Sequence, residues 1–282
     1  MHEQSLNRQK SVVITGASSG LGLALARHYL KQGAVVAAFA RRGDLLQALS
    51  SEFPNQVFCY PIDVRDAAAV QHAADNFMSR VGCPDIVIAN AGVSVGTLTE
   101  YAEDADAFQQ VMDINVLGMV KAFQPFVAAM REAALSFKPS PQSSPIAGRG
   151  GKRETHFTLV GIASVAGFRG LPGAGAYSAS KAATISYLES LRVELHGSGV
   201  KVVTVCPGYI KTPMTDVNPY AMPFILDADA AARRIARVIA QGKSFAVVPW
   251  QMGVVGAVLK LLPNWLYDRL FARAPRKPRG LI

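Results

Sequence analysis

The chain has 282 residues, half of them hydrophobic, with 17% charged residues and a formal net charge of +9, which is enough apolar material to bury one full-sized core. Three widely spaced cysteines, Cys59, Cys83 and Cys206, argue against a disulfide framework, and no metal-ligand spacing appears among them and the five histidines. The positive excess is gathered in Arg149, Lys152 and Arg153 and in Arg269, Arg273, Arg276, Lys277 and Arg279, so the remainder is close to neutral and lacks the basic face of a nucleic-acid-binding fold.

The N-terminal stretch MHEQSLNRQK is polar and has no apolar h-region, so no signal peptide is expected and a reducing, cytoplasmic setting follows. Residues 11–15, SVVIT, form a short apolar run suited to a buried strand. It leads directly into GASSGLGLALARHYLKQG, a glycine-rich turn followed by a helical pattern. Gly16, Gly20 and Gly22 allow a tight turn and a close ligand approach, and the helix start offers free N–H groups to a pyrophosphate. The spacing, Gly-x-x-x-Gly-x-Gly, differs from the usual Gly-x-Gly-x-x-Gly fingerprint.

Residues 34–40, AVVAAFA, read as a second strand. In a dinucleotide fold its end faces the adenosine ribose, where an acid would bind the 2′-hydroxyl of NAD. Here the strand ends in Arg41 and Arg42, with no acid between Lys31 and Asp44. A guanidinium can hold a 2′-phosphate, so the pattern favours NADP(H) over NAD(H); the alternative is two arginines solvating a loop. Residues 56–60 make a third strand, followed by Asp63, which either meets the adenine amino group or caps the helix beginning near Asp66. Residues 85–90, DIVIAN, make a fourth, where Asn90 either borders the cofactor or only stabilises the turn.

Residues 103–134 form a long helical stretch with Asn115 among apolar neighbours and Pro125 placed to kink it. Asn115 must find hydrogen-bond partners, whether in the backbone or in a proton path. Residues 136–155, rich in Pro, Ser and Gly, are expected to be a flexible surface loop. A fifth strand, HFTLVGIAS, ends at Ser164, and a Gly/Pro-rich loop then leads to Tyr177 and Lys181. These two stand four apart on one helix face, so a phenol and an ammonium can share a site, and a nearby lysine is expected to lower the phenol pKa. The Ser164 hydroxyl meets the tyrosine if the loop folds back.

Residues 201–206 form a sixth strand containing Cys206, a core residue. Residues 209–224, broken by prolines, suit a lid over a substrate, and residues 244–249 are a last strand. The C-terminal segment predicts two short helices packed on the body or on a second subunit, followed by a solubilising basic tail. The sharper alternative is an interfacial helix and a basic tail lying on a membrane.

Taken together, TGASSGLG (15–22), Asp63-Val64, Asn90-Ala91-Gly92, Asn115, Ser164, YSASK (177–181) and PGYIKT (207–212) resemble the short-chain dehydrogenase/reductase family, from about residue 11 to 249. Two departures are Ala89 where many members carry a second asparagine, and the length of the 136–155 loop. The resemblance implies one doubly wound, Rossmann-type α/β domain over residues 1–250, with a mostly parallel sheet and helices on both faces, and a helical C-terminal extension over 251–282. It implies a catalytic set of Asn115, Ser164, Tyr177 and Lys181 acting on a small-molecule carbonyl or alcohol. In that set Tyr177 exchanges a proton, Ser164 holds the substrate oxygen, Lys181 tunes the phenol and binds the nicotinamide ribose, and Asn115 positions a relay water. Thr212 and the backbone near Ile210 would contact the carboxamide; Gly16, Ser18, Gly20, Leu21, Arg41, Arg42, Asp63, Val64 and Asn90 would surround the rest of the cofactor. The family also implies a homodimer or homotetramer. Competing readings are a non-catalytic NADP-sensing protein and a membrane-peripheral scaffold.

Overall fold

Runs of Val, Ile and Ala become strands because helices cover both of their faces. The computed structural model describes residues 9–136 and 157–280. Its strands are β1 (Ser11–Thr15), β2 (Val35–Ala40), β3 (Val57–Pro61), β4 (Ile86–Ala89), β5 (Phe157–Ile162), β6 (Val200–Pro207), β7 (Ile210–Lys211), β8 (Leu226–Asp227) and β9 (Phe245–Val248). Seven of them form one sheet in the order β3-β2-β1-β4-β5-β6-β9, every pairing parallel, while β7 and β8 make a small ribbon.

The helices are α1 (Gly20–Leu30), α2 (Gly43–Glu52), α3 (Ala67–Val81), α4 (Asp104–Met112), α5 (Gly118–Ser136), α6 (Gly175–Glu194), α7 (Pro213–Asp216), α8 (Ala228–Ala240), α9 (Trp250–Leu261) and α10 (Asn264–Phe271). Alternation along β1 assigns the layers. Val12 and Ile14 pack with Leu25 and Leu30 of α1, Leu46 of α2 and Ile235 of α8. Val13 faces the other way, toward Phe77 of α3, Phe123 and Phe126 of α5, and Leu188 of α6. A strand buried on both faces reads as a continuous apolar run, which is why no polar alternation marks these segments. The chain therefore has the expected doubly wound fold. The sheet order reverses between β1 and β4, and a crevice opens at their carboxyl ends, where such sheets bind ligands.

The helical stretch expected over 103–134 is continuous over Asp104–Ser136. Its hydrogen-bond ladder changes register at a π turn, Asp113–Leu117, which holds Asn115, while Pro125 lies inside α5. By length and composition this helix could cross a membrane, but Phe123, Phe126 and Met130 are fully buried on the sheet, so it is a core helix. The loop expected at 136–155 lies outside the described residues beyond Ser136, as does most of the N-terminal decapeptide.

The C-terminal segment forms the two short helices expected of it, packed on the body, but not the expected tail. Arg169 donates to the carbonyls of Leu259 (2.7 Å) and Leu262 (2.5 Å) and lies 4.0 Å from the Tyr267 ring centroid, fixing α9 and α10 to the loop after Ser164. Residues 272–280 then return across the body rather than forming a solubilising tail. Gly96 N–H donates to Pro278 O (3.0 Å), and Arg279 pairs with Asp104 (2.8 Å) and Glu103 (2.9 Å) beneath the Tyr101 ring. Lys277 is buried. Paired acids and a stacking aromatic hold this arginine, and only the fold brings them within its reach.

Candidate active site

A cavity of about 410 Å³ occupies the crevice. Gly16, Ser18, Gly20, Leu21, Arg41, Arg42, Asp63, Val64, Asn90, Ser164, Tyr177, Lys181, Ile210 and Thr212 all line it; Asn115 does not.

At one end the β1–α1 turn forms a cradle. Gly16 has φ +70°, which side chains beyond glycine rarely adopt. A Cβ on Gly22 would lie 2.2 Å from Gly16 O and 2.5 Å from Asn90 Nδ2, so α1 can approach the turn only without a side chain there. Thr15, given no role of its own in the glycine motif, ties the ends of β1 and β4 together: its Oγ1 accepts from the N–H groups of Asn90 (3.0 Å) and Ala91 (2.9 Å). Asn90 Nδ2 donates to Thr15 O at 3.0 Å, so its side chain stabilises the turn. Adjacent hydroxyls of this kind carry no sequence signal until β1 and β4 are known to be neighbours.

Arg42 reaches back over the same turn, its Nη2 donating to Ser19 Oγ (2.6 Å) and Ser18 Oγ (3.2 Å), and Arg41 is exposed beside it. Asp63 is engaged by Arg65 through Nη2 (2.8 Å) and the backbone N–H (2.9 Å), and these bonds hold its carboxyl below the usual range. The cap of α3 is Asp66, which accepts from Ala69 N–H, and not Asp63.

At the other end Ser164 closes β5 and the following loop folds back to α6. Both hydroxyls face the cavity, and that of Ser164 is near enough to Tyr177 to draw the phenol pKa down. Ser164 Oγ also accepts from Ala166 N–H (3.1 Å) and makes only a 3.5 Å contact to Pro207 O. Lys181 Nζ lies 5.7 Å from the Tyr177 ring centroid and donates to Ile162 O at 2.9 Å. Four-residue spacing thus puts both groups in one site. The electrostatic expectation is reversed, however. Burial raises the phenol pKa, with the Ser164 hydroxyl pulling the other way, and burial lowers the Lys181 ammonium to about 8. Dehydration disfavours both charged forms and is the largest cause of each shift.

Asn115 sits behind this set and is fully buried. Its Oδ1 accepts from Val93 N–H (2.8 Å), and its Nδ2 donates to Val93 O (3.0 Å) and Ser180 Oγ (2.9 Å). Ser180 in turn donates to Tyr177 O at 2.8 Å. Cys206 is buried, as expected, and its thiol is pushed up to about 12 by that burial. Among the described residues no cluster of metal ligands occurs.

The family model described as short chain dehydrogenase matches residues 10–136 and 152–221. An uncharacterized oxidoreductase of Myxococcus xanthus is 35% identical over 262 residues, covering 92% of this chain and 95% of its own length. A 2-dehydro-3-deoxy-L-rhamnonate dehydrogenase (NAD(+)) of a Sphingomonas species is 34% identical over 210 residues, covering 74% of this chain and 76% of its own. Among solved structures, a short chain dehydrogenase of Burkholderia cenocepacia in complex with NADP superposes with a TM-score of 0.74 at 24% identity, over 93% of this chain and 98% of that one.

Proposed function

The chain belongs to the short chain dehydrogenase family of oxidoreductases, and from that membership we propose an NADP(H)-dependent enzyme that interconverts an apolar carbonyl compound and its alcohol. The observation that carries this reading is the convergence of Ser164, Tyr177 and Lys181 on the cavity that the glycine turn opens, with the Lys181 ammonium 5.7 Å from the Tyr177 ring centroid.

The residues present fit a dinucleotide. The space beside Gly16 and Gly22 admits no Cβ, and the first N–H groups of α1 suit a pyrophosphate. Arg42, fixed by Ser18 and Ser19, and Arg41 supply positive charge at the end of β2, where no carboxylate competes; this supports a 2′-phosphate and hence NADP(H). Thr212 and Ile210 border the cavity from the β7 side. When bound, the cofactor supplies a hydride to the substrate carbon or accepts one from it.

In reduction Tyr177 gives its phenolic proton to the carbonyl oxygen, and in oxidation it takes one back. The phenol carries its proton at neutral pH and so stands as the acid for reduction, while the burial that raises its pKa makes the developing negative charge on Lys181's side of the site the point that needs stabilising. Ser164 Oγ, loosely engaged by Pro207, turns toward the substrate oxygen as negative charge grows on it. Lys181 is cationic below about pH 8 and stabilises the phenolate left behind. Asn115 fixes Val93 and Ser180 next to these groups and serves the proton path by positioning. Val93, Ile162 and Met214 border the cavity, and in the lid Tyr220 packs against Tyr209 with centroids 6.4 Å apart; these surfaces suit an apolar substrate. A cytoplasmic homodimer or homotetramer completes the proposal.

The test is NADPH oxidation with aldehydes and ketones of graded chain length. Turnover that improves with apolar length supports the reading. NADPH binding with no turnover on any carbonyl or alcohol would instead identify a cofactor-sensing protein.

A further inference from the structure

The outer face of α9 has no partner within the described chain. Trp250, Val254, Val258 and Leu261 recur at helical spacing on one side, with exposures of 70%, 55%, 53% and 83%. The opposite side is committed: Met252 and Gly256 are buried, and a Cβ on Gly256 would meet the Phe168 ring. Just past the Pro263 turn, Trp265 is 69% exposed. Scattered exposed leucines are ordinary, but a helix-long apolar stripe with a tryptophan at its start and another just beyond its end marks an interaction surface.

The surrounding charge identifies what it fits. Within residues 250–280 the exposed charged side chains are Lys260, Arg269, Arg273 and Arg276 against one acid, Asp268. None of those four cations enters an ion pair among the described residues. We propose that this face is a docking surface for a lipid bilayer with anionic headgroups. The tryptophans and Leu261 enter the headgroup–acyl boundary while the lysine and arginines meet the headgroups. At 12 residues, α9 is about 18 Å long, so it lies in the interface rather than crossing about 30 Å of hydrocarbon. A second copy of the chain fits less well, because a two-fold contact sets this cationic rim against itself. Lys277 and Arg279 take no part in this contact, since Lys277 is buried and Arg279 is ion-paired. Met252 on the inner side of α9 packs against Gly208, which borders the cavity, so docking holds the catalytic crevice close to the bilayer.

The docking surface stands independently of the reaction assigned above, and its test needs no substrate. The chain's two tryptophans are both exposed, Trp250 at the start of the stripe and Trp265 just past its end, so their emission reports the environment of this region. The full-length protein is titrated with phosphatidylcholine vesicles with and without phosphatidylglycerol, followed by Trp fluorescence and flotation. The expected result is a blue shift and co-flotation with the anionic vesicles. Leu261→Asp should weaken binding at least about tenfold, and Lys260→Glu roughly fivefold, with NADPH affinity unchanged as the folding control. Absence of both shift and flotation overturns the proposal. So does vesicle binding that Leu261→Asp leaves intact, or self-association in sedimentation that Leu261→Asp abolishes while no vesicle binding occurs.

Discussion

Lys277 Nζ donates to the carbonyl oxygen of Met214 at 3.1 Å, tying the last residues of the chain to the segment that borders the cavity. Arg279 anchors the same strap to Asp104 and Glu103. Lys277→Ala removes a charge-assisted bond at the cavity's edge and should raise KM for the carbonyl substrate roughly three- to tenfold. NADPH affinity should stay within about twofold, because the Arg42 end is untouched. Steady-state kinetics and cofactor titration decide it; an unchanged KM separates the strap from substrate binding.

Burial lowers both Lys181 and Lys277 to about 8 from 10.5. A lysine lowered on folding is penalised while charged, so the penalty is complete below about pH 8 and fades as the pH rises toward 10.5. Folding stability should therefore increase across that window, opposed by the buried Cys206 thiol from about pH 9 and by the buried tyrosines from about pH 10 upward. Lys277→Met removes one of the two groups and should make the rise shallower. Urea unfolding at stepped pH measures the slope, and an identical slope in the variant would contradict the assignment.

Arg42 is the better-held of the two arginines at the end of β2, through Ser18 and Ser19. Arg42→Ala should weaken NADPH binding at least about tenfold and NADH binding by less than about twofold, since only NADPH carries the 2′-phosphate. Arg41→Ala should show the same selectivity with a smaller loss. Equal losses for both cofactors would remove the arginines from phosphate recognition.

Gly22→Ala places a methyl 2.2 Å from backbone Gly16 O, where no flexible side chain can yield. It should cost about 1–3 kcal/mol of stability and abolish cofactor binding. Gly170→Ala, whose Cβ would meet nothing within 4 Å, is the matched control and should be neutral. Thermal melts and NADPH titration of the pair check this, and a Gly22→Ala enzyme that binds normally would rule out the close approach of α1.

Much of this architecture is legible in the sequence. Strands such as SVVIT and AVVAAFA declare themselves because both faces are buried, and the glycine turn declares itself because it sits between a strand and a helix. The helical spacing of Tyr177 and Lys181 places both at the cavity. What the sequence does not carry is set by distance across the fold. Asn115 reads only as a buried polar group; that its amide binds Val93 and Ser180 depends on the π turn meeting α6. Arg279 reads as one more charge in a basic run until the return of the chain sets it beside Asp104. The sign of the Tyr177 shift depends on how much water reaches the phenol, a property of packing that residue spacing does not contain.

The central claim is that the Tyr177 hydroxyl moves the proton. Tyr177→Phe removes that oxygen and little else, so single-turnover carbonyl reduction by the NADPH-loaded variant tests it most directly. The account predicts NADPH affinity within about threefold of the parent and a rate lowered at least about a hundredfold. A variant that reduces carbonyls at the parent rate would contradict it.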